Sequence, residues 1–183
     1  MSASAEHVIE ATRLWLERAV IGLRLCPFAE AAYRRELIRY RVSEQETTSG
    51  LLDELADELG RLHAADAAIC ETTLLIHPRV LGDFVDYNQF LDDADAAVLA
   101  LGLEGELQIA SFHPAYQFAG NGPDDIENCT NRSPYPMLHL LREASVTRAA
   151  ATFPGVADIG ARNMTTLRGI GAAGWRELWK RPD

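Results

Sequence analysis

Three short apolar segments, separated by longer amphipathic segments, constrain the fold of this chain more than any other feature. The segments ELIRYRV (36–42), ICETTLLI (69–76) and GELQIASF (105–112) have the length and composition of strands. Between them, apolar residues recur every three or four positions in 49–64 and 83–101, which predicts helices. Strands separated by helices usually pair in parallel with right-handed crossovers. The sequence therefore predicts an α/β fold with a small, mainly parallel sheet on a β-α-β-α-β core.

The N-terminal part of the chain is predicted to be helical. Residues 4–23 carry an amphipathic stripe, and Pro27 is suited to the first turn of a short helix that ends near Arg35. Asp83 precedes the apolar stripe of the later helix and is its predicted N-cap.

The C-terminal part follows a loop, 113–135, that is unusually long for a compact domain and therefore indicates a functional segment. After it, PMLHLLREAS is predicted to form a helix, and 145–180 further short helices broken at Pro154 and the glycines. With 183 residues, the chain is expected to form a single α/β domain in which 144–183 is a helical C-terminal extension.

Composition limits the classes of partner. The net charge of −10 argues against nucleic acid and acidic membrane surfaces as partners. No apolar run approaches the roughly 20 residues that span a bilayer, and charges scattered through the N-terminus argue against a signal peptide. The three cysteines are odd in number and lack CxxC spacing, which favours a reducing cytoplasm. These features leave a small molecule as the expected partner, and they do not fix the oligomeric state.

Two of the apolar segments end in the same dipeptide, His-Pro. TLLIHP (73–78) ends in His77-Pro78, and SFHP (111–114) ends in His113-Pro114. If both strands run in parallel, the two histidines lie at one edge of the sheet, where ligands bind in open α/β folds. The sequence predicts a shared catalytic or binding role for His77 and His113. The alternative is that each ring caps a backbone carbonyl where proline ends the strand.

Metal binding is a further hypothesis for these histidines. His139 lies on the helix predicted after the loop, and imidazole together with carboxylate suits Zn or Fe. The predicted ligands are His77, His113 and His139, with a divalent first-row metal as cofactor, although no HExxH or HxH spacing supports them.

The long loop supplies the other polar groups of the predicted site. They are Asp124, Asp125, Asn128, Asn131, Arg132 and Ser133. Asp125 is a candidate catalytic carboxylate, and Arg132 with Asn131 and Ser133 is a candidate for binding a carboxylate or phosphate. Alternatively, Arg132 pairs with Asp124 or Asp125 and fixes the loop. Asn88 and Tyr116 are two further candidates for substrate binding.

Cys26, in RLCPFAE, is the candidate nucleophile. With Pro27 as first helical residue, Cys26 would be the N-cap, where the helix dipole lowers a thiol pKa. His113 or His77 would then serve as its base. The alternative is a structural cysteine buried in the core.

Several motifs together carry a family resemblance. CPFA (26–29), TLLIHP (73–78), DFVDYNQFLD (83–92) and the block from SFHPAYQFAG to NRSPYPMLHLLRE (111–143) resemble a family of bacterial proteins of unknown function. The resemblance implies a stand-alone bacterial protein of about this length. It implies no activity, cofactor or catalytic residue.

The residues themselves favour an enzyme that acts on a small anionic substrate, with metal assistance, through a His/Cys/Asp/Arg pocket at the carboxyl ends of the strands. Two alternatives remain open. One is a Cys26 thiolate enzyme with a histidine partner, and the other is a non-catalytic protein that binds a small ligand or a partner in the same crevice.

Overall fold

The computed structural model describes residues 4–152 and 158–178. The strands are β1 (Ile38–Val42), β2 (Thr72–Ile76), β3 (Leu107–Phe112) and β4 (Met137–Arg142). The helices are α1 (Ala5–Trp15), α2 (Ala29–Arg34), α3 (Thr48–Ala64), α4 (Phe84–Ala100), α5 (Glu143–Thr152) and α6 (Ile159–Glu177). A π-helical segment, Leu16–Ile21, continues α1, and a 3-10 segment, Ile126–Asn131, lies between β3 and β4.

The strands form one mixed sheet in the order β1-β2-β4-β3. β1 and β2 pair in parallel, whereas β4 lies between β2 and β3 and is antiparallel to both. The predicted α/β class is confirmed, but the prediction of a mainly parallel sheet is wrong. After β3 the chain turns back through the long loop and pairs antiparallel with the strand it has just left, which needs no helical crossover.

The segment 137–142 was predicted as a helix and is the central strand β4. Met137, Leu138 and Leu140 are all fully buried because both faces of the sheet are covered. A strand that is buried on both faces shows a continuous apolar run, and periodicity alone does not separate such a run from a buried helix.

The remaining helices and strands lie where the sequence predicts them, and only their first and last residues differ. Asp83 is the N-cap of α4, and its carboxylate accepts from the amides of Val85 and Asp86. The span of α6 consists of two helices that meet at a kink at Gly171, where φ is 62°, so one of the predicted breaks at a glycine is present. Pro154 lies outside the described residues. Within the described ranges, no helix combines the length and apolarity needed to cross a membrane.

Each face of the sheet has its own apolar core. On the α3–α4 face, Leu75 packs with residues of α3 and α4, including Leu55 and Phe90. On the α1–α6 face, Leu74 and Ile76 pack with residues of α1, the π-helical segment and α6. Successive residues of β2 point to opposite faces, as the pleat requires, so a residue's position in a strand decides which core it joins.

Tyr87, on α4, joins the helix layer to the sheet. Its hydroxyl accepts from the amide of Phe112 at 3.0 Å and donates to the carbonyl of Met137 at 2.8 Å. Phe112 and Met137 are directly opposite one another in β3 and β4. The fully buried phenol of Tyr87 therefore satisfies one backbone amide and one backbone carbonyl at the point where the two strands separate.

We expect Tyr87→Phe to lower the free energy of unfolding by about 2–4 kcal/mol, because each buried group left unpaired costs about 1–3 kcal/mol. Urea denaturation followed by circular dichroism measures the change. Tyr116→Phe is the matched control, because its half-buried hydroxyl makes only a 3.3 Å contact with Ser111. Its expected loss is below about 1 kcal/mol. Equal losses in the two variants would contradict the bridging role of Tyr87.

Candidate functional site

The two His-Pro histidines lie at the same edge of the sheet, as the sequence predicts. β2 and β3 are both antiparallel to β4, so their carboxyl ends point the same way, although β4 separates them. Both rings pack on Tyr87. The ring centroid of His77 is 5.8 Å from that of Tyr87, and the centroid of His113 is 5.0 Å from it.

Both imidazoles hold the segment that joins β2 to α4. His77 Nδ1 lies 3.0 Å from the Val80 carbonyl, and His113 Nε2 lies 3.1 Å from the Leu81 carbonyl. A carbonyl only accepts, so each of these nitrogens carries the proton. His113 Nδ1 in turn accepts from the amide of Ala115. The geometry is that of the carbonyl-capping alternative, and it fixes Leu81 in a left-handed conformation with φ of 59°.

The environment of these rings favours the neutral form. His77 is 0% exposed and His113 is 1% exposed. Burial lowers the pKa of His77 to about 4 and also lowers the pKa of His113. Rings that are neutral, enclosed and already bonded to backbone carbonyls are suited to holding a loop.

His139 does not join the other two histidines. It lies on β4 and faces the α1–α6 core, where its Nε2 is 2.7 Å from Thr72 Oγ1. Desolvation lowers the pKa of His139 to about 4. His77 and His113 lie on the opposite face of the sheet, with Tyr87, so the predicted set of three ligands does not converge. Among the described residues, no group of three His, Cys, Asp or Glu side chains is arranged to hold a metal ion.

Cys26 is not the N-cap of α2, contrary to the sequence prediction. The N-cap is Phe28, and the Cys26 carbonyl accepts from the amide of Ala29 in the turn before the helix. Burial raises the pKa of the Cys26 thiol, which opposes its ionisation. The residue packs against the α1–α6 core. The structure therefore does not bring Cys26 together with His77 or His113, which contact Tyr87 on the other face.

Asp125 and Asn131 serve the fold of the long loop. Asp125 Oδ2 accepts from the amide of Gly122 at 2.8 Å. Asn131 continues the edge of β3, because its Nδ2 donates to the Ser111 carbonyl and its own carbonyl accepts from the amide of His113. The Asp125 carboxylate and the Asn131 side-chain amide are therefore both engaged in hydrogen bonds within the protein.

Of the two remaining substrate-binding candidates, Tyr116 adjoins the histidines, because its amide donates to the His113 carbonyl at 3.1 Å. Asn88 is exposed on α4. The ring of Tyr116 packs on Phe84, with centroids 5.1 Å apart, and on Phe118, with centroids 5.0 Å apart. Tyr116 thus extends the aromatic group around the histidines toward the surface.

Arg132 fixes the loop, but it does so without a carboxylate. Its Nε donates to the Tyr116 carbonyl at 3.2 Å, and its Nη2 donates to the Pro123 carbonyl at 2.5 Å. The predicted pairing with Asp124 or Asp125 is absent from the ion pairs of the described residues. The guanidinium is therefore held rigidly, and it forms no ion pair with an acidic side chain in the part of the chain that the structure describes.

Arg132 and Ser133 line an open cleft of about 500 Å³ beside the end of β3, which we call the carboxyl-edge cleft. Its lining residues are His7, Ala11, Leu14, Pro114, Arg132, Ser133, Pro134, Trp175 and Arg176. Two arginines are present, and no Asp or Glu of the described ranges lines the cleft. The lining residues on α1 and α6 were not found from the sequence. They lie more than 40 residues from Arg132 along the chain, and no local motif marks them.

We expect the buried histidines to make stability strongly pH-dependent. In the unfolded chain they titrate near pH 6.5, whereas His77 and His139 in the fold have pKa values of about 4. The unfolded state then binds more protons, so stability is full above about pH 6.5 and falls as the pH drops towards 4. His77 and His139 together should cost about 3 kcal/mol between about pH 6.5 and 5, and His113 adds to this loss because its pKa is also lowered.

Urea denaturation across this pH range measures the effect. His139→Gln should reduce the slope by about one proton, because it removes one ring with a lowered pKa. His63→Gln is the matched control, since His63 is half-exposed and paired with Glu106. A wild-type free energy of unfolding that stays constant from pH 6.5 to 5 would contradict the neutral, buried state of the rings.

Similarity to known proteins is found at the level of a family model. That model matches residues 7–177, which is nearly the whole chain, and confirms that the chain resembles a family of unknown function. No curated protein and no solved structure matches the chain. The chain therefore belongs to the family described as Protein of unknown function (DUF1415).

Proposed function

We propose that the protein binds a small organic anion, a carboxylate or phosphate, in the carboxyl-edge cleft. The observation that carries the proposal is the charge of this cleft. Arg132 and Arg176 both line it, and neither forms an ion pair with a described carboxylate. In a chain with a net charge of −10, a cleft with two cations and no acidic lining residue selects for negative ligands.

The rest of the lining supports a ligand with a small apolar part. Leu14, Pro114 and Pro134 contribute apolar surface, and Trp175 adds an aromatic side chain. Ligand sites commonly combine such a surface with a few fixed polar groups. Arg132 is fixed in this way, because two backbone carbonyls hold its guanidinium and little side-chain entropy remains to be lost on binding.

We propose that the cleft binds its ligand and does not catalyse a reaction on it. Ser133 carries the hydroxyl group of the lining, and it donates to the Tyr135 carbonyl at 2.7 Å. Among residues 4–152 and 158–178, no carboxylate lines the cleft to act as a general base. The metal-assisted enzyme that the sequence favoured is not part of this proposal, because its three histidines divide between the two faces of the sheet.

Titration calorimetry with phenyl phosphate, inorganic phosphate and phenol tests the proposal. We expect phenyl phosphate to bind more tightly than phosphate, and phenol not to bind. Arg176→Gln should weaken phenyl phosphate binding by about tenfold or more, because a hydrogen bond to a charged group contributes about 1.5–3 kcal/mol. Arg176 is exposed, and its Nε otherwise bonds only within α6, to the Ala172 carbonyl. The variant should therefore fold normally.

Arg61→Gln is the matched control, since it removes the same charge from an exposed position on α3, against the opposite face of the sheet. The affinity of the Arg61→Gln variant for phenyl phosphate should stay within about twofold of the wild type, because salt screens an exposed charge that lies outside the cleft. Absence of phosphate and phenyl phosphate binding at millimolar concentration would overturn the proposal. An equal loss of phenyl phosphate affinity in Arg176→Gln and Arg61→Gln would also overturn the proposal.

A further inference from the structure

Both ring nitrogens of His113 are hydrogen-bonded to the backbone. Nε2 lies 3.1 Å from the Leu81 carbonyl oxygen, and Nδ1 lies 3.0 Å from the amide nitrogen of Ala115. The carbonyl needs a proton on Nε2, and the amide needs a lone pair on Nδ1. The two hydrogen bonds therefore form together only when the ring is neutral.

The hydrogen bond to Ala115 closes the turn that follows β3. A side chain that accepts from the amide two residues ahead reproduces the geometry that Asn and Asp give to an Asx-turn. The amide of Tyr116 closes the same turn, because it donates to the His113 carbonyl at 3.1 Å. Pro114 lies within this turn and lines the carboxyl-edge cleft. The neutral ring of His113 therefore holds one wall of that cleft in place.

A further proton on His113 is incompatible with this turn. The proton must go to Nδ1, because Nε2 already carries one. The ring and the Ala115 amide would then present two donors to each other across 3.0 Å, and their hydrogen bond would be lost. An enclosed donor without an acceptor is costly, so we expect the turn to open instead of holding the two donors in contact.

His77 lacks this property, although it packs on the same Tyr87 ring. Its Nδ1 donates to the Val80 carbonyl. Its Nε2 is buried and has no hydrogen-bond partner among the described residues. A proton added to Nε2 of His77 would break no hydrogen bond to the backbone. A response of the turn to pH is therefore specific to His113.

The surroundings of His113 determine the direction of its response to pH. The titratable groups that face it are Asp83, Tyr87, Tyr116 and His77. On the loop side, its amide meets the uncharged Asn131 carbonyl. Burial lowers the pKa of His113, while the Leu81 carbonyl and the Asp83 carboxylate oppose part of this shift. The ring is therefore neutral above about pH 6.5 and gains its proton below that value.

We propose that His113 is a pH-sensitive switch in the wall of the carboxyl-edge cleft. Acidification protonates Nδ1, breaks the hydrogen bond to the Ala115 amide and opens the turn 113–116 while the sheet remains folded. The proton comes from solvent and returns to it when the pH rises, so the change is reversible. The proposal is independent of anion binding, because it concerns a backbone hydrogen bond.

Amide hydrogen exchange measured by NMR tests the proposal. The exchange rate of the Ala115 amide is divided by that of an unstructured peptide at the same pH, which gives its protection. The Leu140 amide, in the central strand β4, reports unfolding of the whole sheet. From about pH 7.5 to about pH 5, we expect Ala115 to lose at least about fivefold more protection than Leu140, because opening coupled to one proton changes by up to about tenfold per pH unit. A parallel loss at the two amides, or no loss at Ala115, would overturn the proposal.

Two substitutions of His113 separate the roles of its nitrogens. His113→Asn keeps an acceptor for the Ala115 amide and does not titrate, so the protection of Ala115 should stay within about twofold over this pH range. His113→Gln keeps a donor for Leu81 but loses the acceptor at Nδ1, so Ala115 should be unprotected at both pH values.

His77→Gln is the matched control and should retain the response of wild type, because His77 forms no hydrogen bond with the turn. A response to pH that persists in His113→Asn, or one that disappears in His77→Gln, would contradict the switch. The comparison of wild type with His113→Asn is sufficient if His113→Gln does not fold.

Discussion

The hydroxyl of Tyr87 is the contact on which the carboxyl edge of the sheet depends. It bonds to Phe112 of β3 and Met137 of β4 where those strands part. The ring contacts His77 and His113, which in turn hold the carbonyls of the segment after β2. The three rings pack on one another, and each is hydrogen-bonded to backbone groups, so together they fix the start of α4 and the entry to the long loop.

This role explains why two histidines stand at strand ends without forming an open site. Proline stops each strand after the histidine, and the imidazole supplies the donor that the turning backbone needs. Burial keeps both His77 and His113 neutral, which suits a donor to a carbonyl. The two histidines therefore mark the carboxyl edge of the sheet, and the two arginines of the cleft beside it, Arg132 and Arg176, belong to other elements.

α6 contributes Trp175 and Arg176 to the carboxyl-edge cleft. The helix packs through Leu167 and other buried residues against the α1–α6 core. The shape of the cleft therefore depends on how that helix is docked.

The sequence by itself determined the helices and strands of the β-α-β-α-β core, the N-cap at Asp83, and the edge where His77 and His113 lie. These features depend on local periodicity and chain order, which a linear pattern contains. Only the tertiary structure decided that 137–142 is the central strand, because its apolar run is compatible with either helix or strand. It also decided which face each side chain joins. His139 and Cys26 were separated from the other histidines by the pleat and the layer order, which depend on pairings between distant segments.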